Sequence, residues 1–134
     1  MLEFAHIALG TGDGLTCTRC ALARAAEYLP TAELAIRIRA AVEGWAGGPG
    51  PNIILGGPEP FAHPDLPAIV ASAVAAGVER ICLETDGGAL SVPANASGVL
   101  RAGVRHLHVR LLAGDAVLAD ELSGIRGRAG DAFA

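Results

Sequence analysis

A short stretch near the amino terminus contains the residues best suited to metal or redox chemistry. Cys17 and Cys20, two of the chain's three cysteines, form a Cys-x-x-Cys pair, and Asp13 lies four residues before Cys17. Thiolates are the usual ligands of iron–sulfur clusters, whereas a carboxylate is a harder ligand. Three interpretations stay open: an iron–sulfur site completed by Asp13, a vestigial or structural pair of cysteines, and a redox or zinc site.

A second candidate is the loop GGPEP (56–60), which directly follows the apolar run NIIL (52–55). Gly56 and Gly57 permit backbone angles that other residues rarely adopt. Glu59 supplies a carboxylate, which accepts hydrogen bonds when it is ionised. The loop therefore indicates either a ligand-binding turn or only a strand-to-helix turn.

A third candidate follows the apolar run RICLE (80–84) and begins with Thr85 and Asp86. Asp86 could act with Glu84 as an acid–base pair. Alternatively, it forms an Asx turn, in which the side chain accepts a hydrogen bond from the backbone two residues on. Cys82, within the same run, is expected to be a small buried hydrophobic residue.

The run RHLHVRLL (105–112) places His106, His108 and Arg110 at alternate positions. Side chains alternate between the two faces of a strand, so these three share one face. The histidines could bind a metal ion or form a hydrogen-bonded pair. Arg110 could hold a carboxylate or line a polar interior.

The elements that must position these residues alternate in type. Apolar runs predict strands at 4–9, 52–55, 80–84 and 105–112. Helical periodicity predicts helices over 31–46, with Thr31 as N-cap, 64–78 and 96–103, with a further helical start near 115. This order predicts an α/β fold with a parallel sheet and right-handed connections, in which the candidate loops meet at the carboxyl ends of the strands.

Together these loops resemble the radical S-adenosylmethionine (radical SAM) superfamily over nearly the whole chain. Asp13, Cys17 and Cys20 occupy the three positions of that family's CxxxCxxC cluster motif. The segment LGGPEPFAHPDL (55–66) resembles its GGE-P motif, and ETDGG (84–88) resembles the TNG that often ends its third strand.

The resemblance implies a partial parallel (β/α) barrel of radical SAM type, with about four βα units in a single truncated domain, 1–134, where the family typically has six strands. It also implies cofactor contacts by Gly56, Gly57, Glu59, Thr85 and Asp86 and metal ligation by Asp13, Cys17 and Cys20. In the family, three thiolates hold a [4Fe–4S] cluster whose open iron binds S-adenosylmethionine (SAM). Here Asp13 replaces the first thiolate, and Arg19 replaces the aromatic residue usual before the last cysteine.

The composition of the chain limits the kinds of partner that we expect it to bind. The net charge is −4, all ten basic residues are arginines scattered along the chain, and there is only one Trp and one Tyr. We therefore expect no nucleic-acid binding. No apolar run reaches the roughly 18 residues needed to cross a bilayer, and the amino terminus lacks the basic flank of a signal peptide. The expectation is a cytoplasmic protein with no membrane association.

Because three departures coincide at the catalytic end, the sequence favours a degenerate radical SAM-like protein that does no chemistry alone. It would be a partner or regulatory subunit, for example in peptide modification, for another copy of itself or for a full-length radical SAM enzyme. A truncated barrel would leave strand 4 as an open edge and expose an apolar inner face. The alternative is a minimal radical SAM enzyme that binds a [4Fe–4S] cluster through Asp13, Cys17 and Cys20, with Gly57 and Glu59 on the SAM amine.

Overall fold

The computed structural model describes residues 3–12, 25–48, 50–127 and 130. Its six strands are β1 (Ala5–Ala8), β2 (Gly10–Thr11), β3 (Glu27–Tyr28), β4 (Asn52–Gly56), β5 (Arg80–Thr85) and β6 (His106–Val109). Strands β1, β4, β5 and β6 form one parallel sheet in that order, so each neighbour in the sheet is the next of these four in sequence. The predicted α/β fold with a parallel sheet is therefore confirmed.

One face of this sheet forms the hydrophobic core. The register aligns Ile7 with Leu55, and Leu55 with Leu83, and all three side chains are buried. Buried residues of three helices pack in the same core: α1 (Thr31–Glu43), α2 (Leu66–Ala75) and α3 (Pro93–Ala102). Apolar residues on alternate strand positions thus fix which face each strand turns to the helices.

The helices begin and end close to their predicted limits, with differences that have local causes. Helix α1 ends at Glu43, before the predicted residue 46, because Gly44 and Trp45 already turn back onto its last carbonyls. Thr31 is the first helical residue and not an N-cap; its hydroxyl donates to Asp65 Oδ2 at 3.0 Å. Helix α4 (Ala116–Ser123) begins after Asp115, whose side chain accepts a hydrogen bond from Leu118 N–H.

Strands β2 and β3 form a two-stranded antiparallel ribbon that the sequence pattern did not predict. Gly10 pairs with Tyr28, and Thr11 pairs with Glu27. Each strand has only two residues, too few to show an alternating pattern. The ribbon flanks the segment with the candidate metal ligands in sequence, but Asp13, Cys17 and Cys20 lie outside the described residues.

The second face of the sheet differs from its expected apolar character. We call this the open face: it comprises His6, Ala8, Ile54, Gly56, Cys82, Glu84, His106 and His108, with Arg110 continuing the row of β6. His6, His106 and His108 are exposed, and Glu84 is partly exposed. The expectation of an exposed apolar inner face is therefore wrong for this sheet, because titratable side chains alternate with core residues on β1 and β5 and with apolar residues on β6.

Strand β6 lies at one edge of the four-stranded sheet, as expected for the fourth strand. Exposed apolar side chains cluster in and after this strand, namely Leu107, Leu111, Leu112, Val117 and Leu118. The four α-helices contain 13, 10, 10 and 8 residues, and none in the described part of the chain has the length and hydrophobicity to cross a membrane.

Candidate functional site

The loops after β4 and β5 are joined through one buried carboxylate. Glu59 Oε1 accepts a hydrogen bond from the Thr85 hydroxyl at 2.7 Å, and Glu59 Oε2 accepts one from the Asp86 backbone N–H at 2.9 Å. Glu59 is only 8% exposed and Thr85 is fully buried. We call these three residues the loop junction.

The chain around Glu59 folds locally to bring its side chain inward. Gly57 has a φ of 92°, which glycine adopts at little cost because it has no Cβ. Glu59 then caps a 3₁₀ turn, Pro60–Ala62, by accepting a hydrogen bond from Phe61 N–H at 3.2 Å. Glycine and proline at fixed places therefore set the direction of the carboxylate.

The loop after β5 is held by two turns of its own. Asp86 Oδ1 accepts a hydrogen bond from Gly88 N–H at 2.9 Å, which confirms the predicted Asx turn. Thr85 Oγ1 also accepts a hydrogen bond from Gly87 N–H at 3.1 Å, and Gly87 has a φ of 86°. Thr85 therefore links its own loop to Glu59, since its hydroxyl donates to one residue and accepts from another.

A third segment reaches the loop junction from the ribbon. The Tyr28 hydroxyl donates a hydrogen bond to the Glu59 backbone carbonyl at 2.8 Å. The Tyr28 ring packs edge-on against His63, with ring centroids 5.2 Å apart, and His63 Nε2 lies 3.0 Å from the Leu29 carbonyl oxygen. Sequence reasoning missed Tyr28 because it lies in a strand of two residues; its being the chain's single tyrosine was the only signal.

The electrostatics of Glu59 reflect its burial. Desolvation raises the pKa of its carboxyl above the ordinary value of 4.5, and the nearby Asp86 charge acts in the same direction. Hydrogen bonds from Asp86 N–H, the Thr85 hydroxyl and Phe61 N–H oppose that rise. Burial is the largest effect, so this carboxyl holds its proton more readily than an exposed glutamate.

An open cavity of about 380 Å³ lies beside the loop junction. Its walls include the Glu59 and Asp86 side chains, and its remaining lining consists of Phe61, Ala62, Gly88, Ala89, Ile125 and Arg126. Arg126 follows α4, so the segment beyond that helix returns to the carboxyl ends of β4 and β5. Two carboxyl groups and one guanidinium in a partly apolar cavity suit a ligand with both charged and apolar parts.

Four of the five predicted cofactor contacts therefore lie together, whereas the predicted metal ligands are outside the described residues. Gly57, Glu59, Thr85 and Asp86 lie together at the carboxyl ends of β4 and β5, and Gly56 ends β4 on the open face. Within residues 3–12, 25–48, 50–127 and 130, no three His, Cys, Asp or Glu side chains form a group that could hold a metal ion. Cys82 is buried in β5, as predicted, and burial raises the pKa of its thiol.

Neither protein-family models nor curated proteins provide a relative of this chain. No protein-family model matches the chain. No curated protein matches it at a significant level. The resemblance to radical SAM proteins therefore remains a prediction that depends on the motifs alone.

Proposed function

We propose that the chain is a degenerate radical SAM-like protein of partial-barrel type that does no radical chemistry alone and serves as a partner or regulatory subunit. The observation that carries this proposal is the loop junction. Three donors from the chain itself form hydrogen bonds to the Glu59 carboxylate, so the loops after β4 and β5 keep their arrangement through internal contacts. Such loops would survive as scaffold after the loss of catalytic chemistry.

The donor set for a [4Fe–4S] cluster supports the same reading. The matching positions provide two thiolates and one carboxylate, from Cys17, Cys20 and Asp13. A cluster of this kind is held best by soft thiolate ligands, and a carboxylate in one position fits it poorly. We therefore derive no reaction step through a cluster.

The loop junction is better matched to SAM than the cysteine segment is to the cluster. An ionised carboxylate offers about four acceptor positions, and three donors reach Glu59, so one position remains for the SAM amine. The neighbouring cavity, lined by Phe61 and Ile125 among others, could receive the rest of such a ligand. SAM supplies an adenosyl radical only when a reduced cluster cleaves it, so binding without cleavage is consistent with a regulatory role.

The partner role is supported by the surface around β6. Leu107, Leu111 and Leu112 are 40–50% exposed, and Val117 and Leu118 of α4 are also exposed. A sheet edge beside clustered apolar side chains is typical of protein–protein contacts. We propose that another copy or a full-length radical SAM enzyme covers this surface.

The remaining acceptor position on Glu59 also favours the alternative, a minimal radical SAM enzyme. Anaerobic reconstitution with iron and sulfide, followed by reduction and addition of SAM, separates the two functions. We expect no stable cluster absorption and no 5′-deoxyadenosine. A cluster spectrum that shifts with SAM, together with 5′-deoxyadenosine formation that is lost in Cys17→Ala and kept in Cys82→Ala, would establish the enzyme instead.

Sedimentation velocity tests the partner role. We expect self-association, or association with a full-length radical SAM enzyme, that Leu112→Glu weakens. The matched control is Ile36→Glu on α1, which adds the same charge at a side chain that is 67% exposed and lies away from β6. A monomer that binds no such enzyme and no hydrophobic dye would count against the proposed partner role.

A further inference from the structure

We infer that a cavity between the amino end of β1 and the carboxyl end of α1 binds a small primary ammonium ion that has an apolar group attached. We call it the β1–α1 cavity; it is open to solvent, has a volume of about 770 Å³ and is lined by residues 3–5, 40–41 and 44–47. Cavities of this size hold small molecules. The loop junction lies at the carboxyl ends of β4 and β5, so this site is separate and does not depend on the proposed function.

The charged groups around the β1–α1 cavity are negative. Glu3 provides the charged side chain in its lining, and no basic side chain lines it among the described residues. The Glu3 carboxylate has no hydrogen bond or ion pair within the part of the chain that the structure describes. The carboxyl end of α1 adds the negative end of a helix dipole, and its last turn contains Glu43 and no basic residue. The cavity therefore favours a cationic ligand.

An aromatic ring borders the same space as the carboxylate. A Cβ at Gly47 would lie 2.6 Å from Glu3 Oε2 and 2.8 Å from Trp45 Cζ2. The Trp45 indole N–H donates a hydrogen bond to the Gly48 carbonyl at 3.1 Å, so the ring is held in place by its edge. A cation near the face of an indole ring is attracted by the electrons of that ring. A carboxylate beside an indole thus suits an ammonium ion attached to an apolar group.

Contacts within the chain hold both groups in place. The Glu3 backbone carbonyl accepts a hydrogen bond from Nδ2 of the buried Asn52 at 3.1 Å. The Trp45 backbone N–H donates to the Val42 carbonyl at 3.2 Å, which fixes the chain directly after α1. These contacts order the backbone on both sides of the cavity before a ligand binds, and such ordering lowers the entropic cost of binding.

The acceptors in the cavity favour a primary ammonium over a quaternary one. A primary ammonium has three N–H donors, as in lysine, and the carboxylate of Glu3 offers two oxygens. A quaternary ammonium has no N–H and can make no such hydrogen bond to them. Small side chains form much of the remaining lining and leave room for an apolar group, namely those of Ala5, Ala40, Ala41 and Ala46.

Fluorescence titration of the wild-type chain tests the site directly, because Trp45 is the chain's single tryptophan. Benzylammonium chloride, added at neutral pH and constant ionic strength, should give a saturable change in emission. Benzyl alcohol has the same ring without the charge, benzoate has the opposite charge, and benzyltrimethylammonium has the charge without N–H donors. Each should bind about tenfold more weakly or less tightly still. Absence of saturation with benzylammonium, or equal affinity for any of the other three compounds, would overturn the assignment.

A matched pair of charge variants tests the role of the carboxylate. Glu3→Gln keeps the size of the side chain and should weaken benzylammonium binding about tenfold, because it removes a charge-assisted hydrogen bond. Glu121→Gln removes the same charge from an exposed position on α4 and should leave the affinity unchanged. Equal losses in the two variants would show a general effect of net charge and overturn the site.

The adjacent glycines provide a second matched pair, which tests the position of the ligand. Neither Gly47 nor Gly48 has a positive φ, so both backbones accept alanine. Gly47→Ala places a Cβ between Glu3 and Trp45 and should weaken benzylammonium binding several-fold, whereas a Cβ at Gly48 would meet nothing within 4 Å. Gly48→Ala should therefore bind as the wild type does, and equal affinity of the two variants would exclude the proposed position. These measurements involve neither a cluster nor SAM, so their failure would leave the proposed function in place.

Discussion

Two glutamates, one in the loop after β4 and one in the neighbouring strand β5, show how differently this fold uses the same group. Glu59 follows β4, is 8% exposed and accepts three hydrogen bonds at 2.7–3.2 Å. Glu84 lies in β5, its side chain is 21% exposed, and its charged neighbours His6 and Arg110 lie at 3.3 and 3.7 Å. Glu59 therefore joins two loops through buried hydrogen bonds, whereas Glu84 makes only partly exposed ion pairs.

The difference arises from the alternation of side chains along β5. Thr85 turns toward the core and meets Glu59, while the preceding residue, Glu84, turns to the open face. Consecutive residues of one strand thus serve a structural junction and an exposed cluster. In this parallel sheet, the alternation of side chains along β5 is enough to place these two residues on opposite faces.

The largest expected effect comes from removing the Glu59 carboxylate from the loop junction. Glu59→Ala should lower the free energy of unfolding by about 2–4 kcal/mol, because the Thr85 hydroxyl and the Asp86 and Phe61 N–H groups lose their acceptor while partly buried. Glu84→Ala is the matched control and should cost less than about 1 kcal/mol, since its ion pairs are partly exposed. Urea denaturation of both variants measures the difference, and equal losses would mean that the two carboxylates do not differ in role.

A smaller effect is expected from the two glycines that precede Glu59. Gly57→Ala should cost about 1–2 kcal/mol, because a residue with a Cβ is strained at a φ of 92°. Gly56→Ala should cost less than about 1 kcal/mol, because its Cβ would meet the movable ends of His6 and Glu84, which make only a surface ion pair. Thermal or urea unfolding gives the order, and a larger loss at Gly56 would show that the His6–Glu84 contact belongs to the scaffold.

Much of the fold could be predicted from sequence, because a long apolar pattern is enough to predict a strand or a helix. The helix that contains Leu34 buries one side, which its apolar spacing records, and the strands that contain Ile53 and Ile81 are largely buried, which their continuous apolar runs record. The ribbon of β2 and β3 could not be predicted, since two residues carry no period. His106 and His108 indicated a polar open face, but the chain's overall hydrophobic content of 51% favoured the prediction of an apolar face.

The loop residues of the site were predictable only as a set. Motif spacing brought Gly57, Glu59, Thr85 and Asp86 to neighbouring strand ends, where the structure places them. The donors to each oxygen of Glu59 could not be predicted, because they depend on turn geometry. The contact from Tyr28 depends on a ribbon that joins segments far apart in sequence, and no local pattern encodes such a contact.

Tyr28→Phe should lower the free energy of unfolding only modestly, through its contact with the loop junction. The variant keeps the ring that packs against His63 and removes only the hydroxyl that donates to the Glu59 carbonyl. We expect a loss of about 1 kcal/mol in the free energy of unfolding, the usual net value of one hydrogen bond. Urea denaturation measures it, and a loss as large as that of Glu59→Ala would mean that the ribbon, and not the carboxylate, holds the loops together.

The smallest expected effect is a change in pH dependence that separates burial of Glu59 from its hydrogen bonding. The pKa of Glu59 is raised above 4.5 in the folded state. Between the pKa of the unfolded state and that of the folded state, the folded protein therefore binds more protons than the unfolded protein. The stabilising contribution of the protonated carboxyl is therefore complete below the unfolded pKa and is lost as pH rises through the folded pKa. The free energy of unfolding of the wild type minus that of Glu59→Gln, measured by urea unfolding from about pH 4 to about pH 7, should accordingly decrease as the pH rises.

Thr85→Val sharpens that last test, because it removes one of the hydrogen bonds that lower the Glu59 pKa while keeping the shape of the side chain. The pH window over which stability falls should then extend upward, since burial acts with less opposition. If the wild-type difference instead grew with pH, the three donors would outweigh desolvation. Glu59 would then be a carboxylate stabilised in its ionised form, and its contrast with Glu84 would be one of hydrogen-bond number more than of burial.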